Sequence, residues 1–215
     1  MSEAATLSVR RLLYFADPMC SWCWGFSPVI ANIAAACAGL VPIRLCVGGL
    51  RAGETKPMDG RSGAYIRHHW EEVAAATGQP FDFRFFERER FVYDTEPACR
   101  AAVAIRNLAP EASLQYLAAV QRAFYAENRD VTQEDALADI AAAFVDPEDF
   151  RVVFNAAEVH EATQADFRLV QGLGIQGFPT VLLQDGQRLA ALTAGWQPFD
   201  ALAEPLNAWL AGVGE

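Results

Sequence analysis

No stretch of this 215-residue chain approaches the roughly 20 apolar residues that a membrane-spanning helix requires; the best candidate, Val29 to Ile43, is interrupted by Asn32, Gly39 and Pro42. No basic residue precedes Arg10, and the apolar run after Arg11 breaks at Asp17, too soon for the core of an export signal. The expectation is a cytoplasmic protein. Positive charge is scarce as well, with 17 Lys and Arg against 27 Asp and Glu, and the resulting net charge of -10 repels phosphate backbones and anionic headgroups. Neither nucleic acid nor a membrane is an expected partner. A zinc site needs four ligands, and the histidines are only His68, His69 and His160, the first two of which point about 100° apart on a helix. No metal is expected. There is no low-complexity tract and no internal repeat.

What remains is 53% hydrophobic and 20% charged, the composition of a globular protein, and 215 residues suffice for one core carrying an inserted subdomain. The five cysteines do not form the dense framework of a small secreted domain. Cys37 and Cys46 sit among apolar neighbours and Cys99 follows Pro97-Ala98 at a helix start, so all three read as buried small hydrophobes. Cys20-Ser21-Trp22-Cys23 is different. Two thiols separated by two residues stand where an apolar strand hands over to a helix, and the unpaired N–H groups of a helix start favour a thiolate over a thiol. Cys20 is then the attacking sulfur, and Cys23 faces inward to resolve a mixed disulfide.

Periodicity and turn residues give the order of elements. Leu7 to Ala16 reads as a buried strand, Met19 to about Ala38 as a helix kinked at Pro28, and Val41 to Val47 as a second, parallel strand closed by Gly48-Gly49. Ala52 to Gly63 reads as a loop. Helices follow at Ile66 to Thr77, Pro97 to Leu108 and Glu111 to Glu127, then one after a capping box at Thr132-Gln133-Glu134-Asp135, then Pro147 to Phe154 and Ala157 to Leu173. Thr180 to Leu183 and Arg188 to Thr193 flank an Asp185-Gly186 hairpin signal, and Phe199 to Leu210 is a closing helix. The fold class is α/β: a thioredoxin-like core, a central mixed sheet flanked by helices, formed by residues 1–51 and 157–215, with an all-helical insertion at 52–156.

Asp17-Pro18-Met19-Cys20-Ser21-Trp22-Cys23-Trp24-Gly25-Phe26, together with Gly177-Phe178-Pro179-Thr180, resembles the DsbA-like thioredoxin-fold family, in particular its cytoplasmic branch of FrnE-type proteins and predicted protein-disulfide isomerases. The resemblance implies an inserted helical domain beside the active site and a cis Pro179 facing the cysteine pair. A cis bond turns the Phe178 backbone toward Cys20, where an extended substrate segment can pair with it. Strongly oxidising periplasmic members carry proline and histidine between the cysteines; Ser21-Trp22 stands here instead, and strong oxidant behaviour is not implied.

The function expected is therefore that of a thiol-disulfide oxidoreductase, a disulfide reductase or isomerase with Cys20, Cys23 and Pro179 at its catalytic centre. Trp22, an exposed residue between the cysteines, Phe178, Trp24 and Phe26 are candidate substrate contacts, and Arg51 is a candidate partner for a substrate carboxylate. Asp17 reads first as a turn former and second as a group that tunes the thiols. No bound cofactor is expected beyond the redox-active pair, with glutathione or another thiol as reductant and a disulfide-containing protein or small disulfide as substrate. Two alternatives stand beside this: a glutathione-dependent transferase or isomerase of the kappa-like class, which needs only one nucleophile-activating position, and a noncatalytic protein-binding module.

Overall fold

A computed structural model of the chain describes residues 10–212. The first strand, β1, spans Arg10–Ala16; residues 7–9 of the predicted strand lie outside the described residues. Leu12, Tyr14 and Ala16 enter one buried cluster and Leu13 and Phe15 another, the two-residue alternation of a strand covered on both faces. β1 is central in a four-stranded mixed sheet of order β2-β1-β3-β4. β2 (Ile43–Val47) runs parallel to it, β3 (Thr180–Asp185) antiparallel, and β4 (Arg188–Ala194) pairs antiparallel with β3 at the edge. Asp185 pairs with Arg188, so the two-residue turn is Gly186-Gln187, one residue beyond the predicted Asp-Gly pair. Gly186 takes φ 59°, a left-handed conformation open to a residue without Cβ.

Helix α1 (Ser21–Cys37) connects β1 to β2 and buries Cys23, Phe26, Ile30 and Ile33 against the sheet. It runs through Pro28 without interruption. Pro28 has no N–H to give the Trp24 carbonyl four residues earlier, and the side-chain amide of Gln79 donates to that oxygen instead at 2.9 Å. A residue just past the end of another helix thus offsets the proline. Gln79→Ala is expected to lower unfolding free energy by about 1 kcal/mol, the scale of one lost hydrogen bond. Urea denaturation checks this, and an unchanged midpoint would show that the Trp24 carbonyl finds another donor.

Between β2 and β3 lie α2 (Gly60–Thr77), α3 (Glu96–Leu108), α4 (Ser113–Tyr125), α5 (Glu134–Ala141), α6 (Pro147–Phe154) and α7 (Ala157–Gly172), and α8 (Phe199–Ala211) closes the described chain. Three helix starts depart from the sequence reading. α2 begins at Gly60, inside the predicted loop, because the Asp59 carboxylate accepts the Ser62 N–H at 2.7 Å while the Ser62 hydroxyl serves the Asp59 N–H. The capping box predicted at Thr132 does not form: the Thr132 hydroxyl bonds Asp130 at 2.6 Å, and α5 starts after an uncapped Gln133. The helix predicted from Glu111 is split, with a 3-10 turn at Pro110–Ala112 ahead of α4.

One buried cluster joins Leu12 and Phe26 of the sheet layer to Trp70, Phe124 and Phe154 of the helical segment. On the other sheet face, α7 supplies Val170 to the smaller cluster and the buried Asp166, which accepts from Arg106 at 2.5 Å, from Arg44 at 3.2 Å and from the Val47 N–H at 3.0 Å. Among the described residues no helix is long and apolar enough to cross a membrane.

Candidate active site

β1 ends at Ala16, and the Asp17-Pro18 turn carries the chain into α1. One carboxylate oxygen of Asp17 accepts the Met19 N–H at 2.8 Å, and its backbone carbonyl accepts the Cys20 N–H at 3.1 Å. This places Cys20 at the N-cap of α1 in extended geometry (φ -95°, ψ 119°), with its own carbonyl accepting the Trp24 N–H at 3.1 Å. No side chain caps the helix, so its first-turn dipoles act on the sulfur at that position. The Cys20 thiol donates to the Phe178 carbonyl at 3.6 Å, and the Phe178-Pro179 peptide bond is cis. Cys20 retains 7% of its surface and Cys23 none.

The five cysteines are free thiols. Burial pushes the Cys23 thiol well above its ordinary value, and its hydrogen bond to the Cys20 sulfur and the charge of that sulfur push the same way, against the Asp17 N–H. The pair is therefore asymmetric: Cys23 holds its proton. Burial likewise pushes Cys46 up to about 12 and raises Cys99, where Asp17 adds to the shift. Unfolded thiols ionise near their ordinary value of 9, while the folded chain keeps these protons. Stability of the reduced protein is thus fully present below pH 9 and falls as pH rises toward the folded values, by about 1.4 kcal/mol per pH unit for each such thiol. Denaturant midpoints measured across pH 8 to pH 11 (roughly the window in which model thiols titrate) check the slope, and Cys46→Ala should make it shallower.

A cavity of ≈ 260 Å³ opens at Cys20. The core supplies Met19, Trp22, Leu50, Arg51 and Phe178 to its wall, and α2 supplies Tyr65, Ile66, His69 and Trp70. The wall is mainly apolar, with Leu50 at 46% and Tyr65 at 61% exposure on its rim. The Arg51 guanidinium lies over the Tyr93 ring at 5.3 Å, and no ion pair engages it among the described residues. Tyr93 in turn donates to the Met19 carbonyl at 2.8 Å, bracing the residue before Cys20.

The model of the DSBA-like thioredoxin domain matches residues 11–207. The chain belongs to this family. Among solved structures, a candidate protein disulfide isomerase from Nitrosomonas europaea is 39% identical, with a TM-score of 0.87 over 95% of this chain and 99% of that one. The cytosolic disulfide reductase DsbM from Pseudomonas aeruginosa is 30% identical, with a TM-score of 0.76 over 92% of this chain and 98% of that one. Among curated proteins, the ClpXP adapter protein SpxH of Bacillus subtilis is 23% identical over 173 residues, 80% of this chain. The chain spans 57% of the length of that relative.

In this DsbA-like chain the elements bring Cys20, Trp22 and Phe178 to one cavity, with Cys23 behind and the Phe178-Pro179 bond beside them. Trp22 is half-buried rather than exposed, its ring 6.3 Å from that of Trp196. Trp24 and Phe26 require correction as substrate contacts. Trp24 is buried, stacks on Tyr125 at 6.5 Å and donates its indole N–H to the Pro80 carbonyl; Phe26 is fully buried with its ring 5.9 Å from Tyr14. Phe26, three residues after Cys23, shares its inward face of α1, whereas Trp24 lies about 100° round the helix and is covered by the helical segment. The α2 wall was missed by the sequence reading, although Tyr65 and His69, like Ile66 and Trp70, are spaced to share one helical face. Cys99 is buried as expected, and its thiol also donates to Asp17 at 3.4 Å.

Proposed function

We propose that the chain is a cytoplasmic thiol-disulfide oxidoreductase of the reductase or isomerase type, with Cys20 as nucleophile and Cys23 as resolving thiol. The observation that carries this is the placement of Cys20: at an uncapped helix start, on the wall of a cavity, with the fully buried Cys23 thiol three residues along the helix. The Cys20 thiolate attacks one sulfur of a substrate disulfide, forming a mixed disulfide and expelling the other sulfur as a thiolate that takes up a proton. Cys23 then loses its proton and attacks the Cys20 sulfur, releasing the second substrate thiol and leaving a Cys20-Cys23 disulfide. Two electrons pass from the pair to the substrate. Two equivalents of an external thiol restore the reduced pair, or, in isomerisation, the substrate thiolate itself reopens the mixed disulfide.

Phe178 and Trp22 offer contact to the substrate chain, and Pro179 borders the sulfurs. The unpaired Arg51 beside the cavity suits a reductant that carries a carboxylate, and glutathione is the candidate; DsbM from P. aeruginosa, 30% identical, has been solved with GSH. The cytosolic location of that relative also supports a cytoplasmic assignment. Titration of the pair against defined ratios of reduced and oxidised glutathione, followed by the fluorescence of Trp22 and Trp196, tests the reading. A single two-electron transition is expected, and a signal that ignores the ratio, with no disulfide detected by alkylation, would overturn it.

The exposed rim residues Leu50 and Tyr65, with the adapter relatives, favour a second reading as a protein-binding module. Partner capture that persists after both thiols are alkylated distinguishes it.

A further inference from the structure

Asp17 has no exposed surface, yet it is the most heavily bonded side chain at the site. One carboxylate oxygen accepts the Met19 N–H at 2.8 Å, which holds the turn that ends in Cys20. The other accepts the Leu50 N–H at 2.7 Å and the Cys99 thiol at 3.4 Å. The Thr95 hydroxyl also favours the charged form of Asp17, and its oxygen accepts the Arg51 N–H at 3.2 Å. Two consecutive amides of the loop after β2 are therefore held around this carboxylate, Leu50 by Asp17 itself and Arg51 by the buried Thr95 beside it. Both residues line the cavity at Cys20; Leu50 is 46% exposed, and the Arg51 guanidinium lies over the Tyr93 ring but makes no ion pair among the described residues. A turn former needs only the Met19 bond. The other two donors, Leu50 and Cys99, come from residues 33 and 82 positions away in the chain, and they offset part of the lost hydration, which still pushes the Asp17 carboxyl above its ordinary value.

We infer that Asp17 is a positioning residue that locks the Cys20 turn and the Leu50–Arg51 turn into one unit, so that the cation selecting an acidic disulfide stands at a set place relative to the sulfur attacking it. This rests on the oxidoreductase reading, and it adds a residue that touches no substrate yet sets which substrates react. Asp17→Asn tests it closely, because the amide keeps the shape and one acceptor but turns a donor toward donors.

Two measurements decide the matter. In the wild-type protein, amide hydrogen exchange at Leu50 and Arg51 is expected to be slow, like that of Val47 in the sheet, although Leu50 lies in an exposed loop. Exchange at the rate of a free loop would overturn the tether whatever the protein catalyses. In kinetics, the ratio of kcat/KM for oxidised glutathione to that for uncharged bis(2-hydroxyethyl) disulfide is expected to fall about tenfold in Arg51→Met, the loss of one charge-assisted hydrogen bond. Asp17→Asn should lower the same ratio mainly through KM, and Asp17→Asn with Arg51→Met should lower it no further, since both remove the same selection. A ratio unchanged in Asp17→Asn, or losses that multiply in the double variant, would overturn the inference. A wild-type protein that turns over neither disulfide would instead remove the oxidoreductase reading, with amide exchange still judging the tether.

Discussion

Cys23→Ser is expected to accumulate substrate on Cys20 as a mixed disulfide, whereas Cys20→Ser should form none and lose turnover by on the order of 10⁶-fold, the scale seen when a nucleophile is deleted. The division follows from geometry. Cys20 lies on the cavity wall and at the helix start, while Cys23 has no surface and its proton is held by burial and by the sulfur beside it. An external disulfide reaches only the first. Intact mass spectrometry after incubation with oxidised glutathione reads the adduct directly, and chase with a small thiol should release it. Equal residual activity in the two variants would rule out separate roles. Conjugation of glutathione to an electrophile that survives Cys23→Ser would favour the transferase alternative instead.

Gly48→Ala should also lower activity, though it touches no sulfur. A Cβ at Gly48 would stand 2.3 to 2.7 Å from three atoms of the Phe178 ring, well inside van der Waals contact. The ring is rigid and packs against both buried clusters, so the cis-proline loop must shift, and with it the carbonyl that meets Cys20. Overpacking of this kind costs about 1–3 kcal/mol of stability. Displacement of the substrate-facing backbone by about 1 Å should lower kcat/KM by about ten- to a hundredfold. Gly172→Ala is the control, because a Cβ there meets nothing within 4 Å. It should leave turnover unchanged and stability equal or slightly higher. Loss of activity in Gly172→Ala, or none in Gly48→Ala, would disconnect Phe178 from catalysis.

The parts of this molecule that were legible in the sequence are those written in short-range chemistry. β1 and the β3–β4 hairpin show as apolar runs with a glycine turn, α6 starts at the predicted Pro147 under an Asp146 cap, and the cysteine pair announces itself by spacing and by the strand before it. The misplaced starts of α2 and α5 are also local, but they turn on competition between neighbours. Ser62 served as the capping partner where Glu or Gln is the usual sign, and Asp130 captured the Thr132 hydroxyl before it could cap anything. Asp17 was only half legible. Its bond to Met19 is two residues long, whereas Leu50, Thr95 and Cys99 reach it only after the sheet and α3 are assembled. Trp24 and Phe26 were misassigned for a related reason: a sequence shows that aromatics crowd a motif, but the phase of α1 against the sheet decides which of them meet solvent.

Because Cys20 and Cys23 stand at the start of α1 while much of the wall around them comes from α2, the proposed electron exchange and the choice of ligand would rest on separate elements of one polypeptide. Exchanging Tyr65 and His69 for other side chains is then a route to new preferences with an unaltered reduction potential. A library diversified at those two positions offers a direct path to retargeting this scaffold.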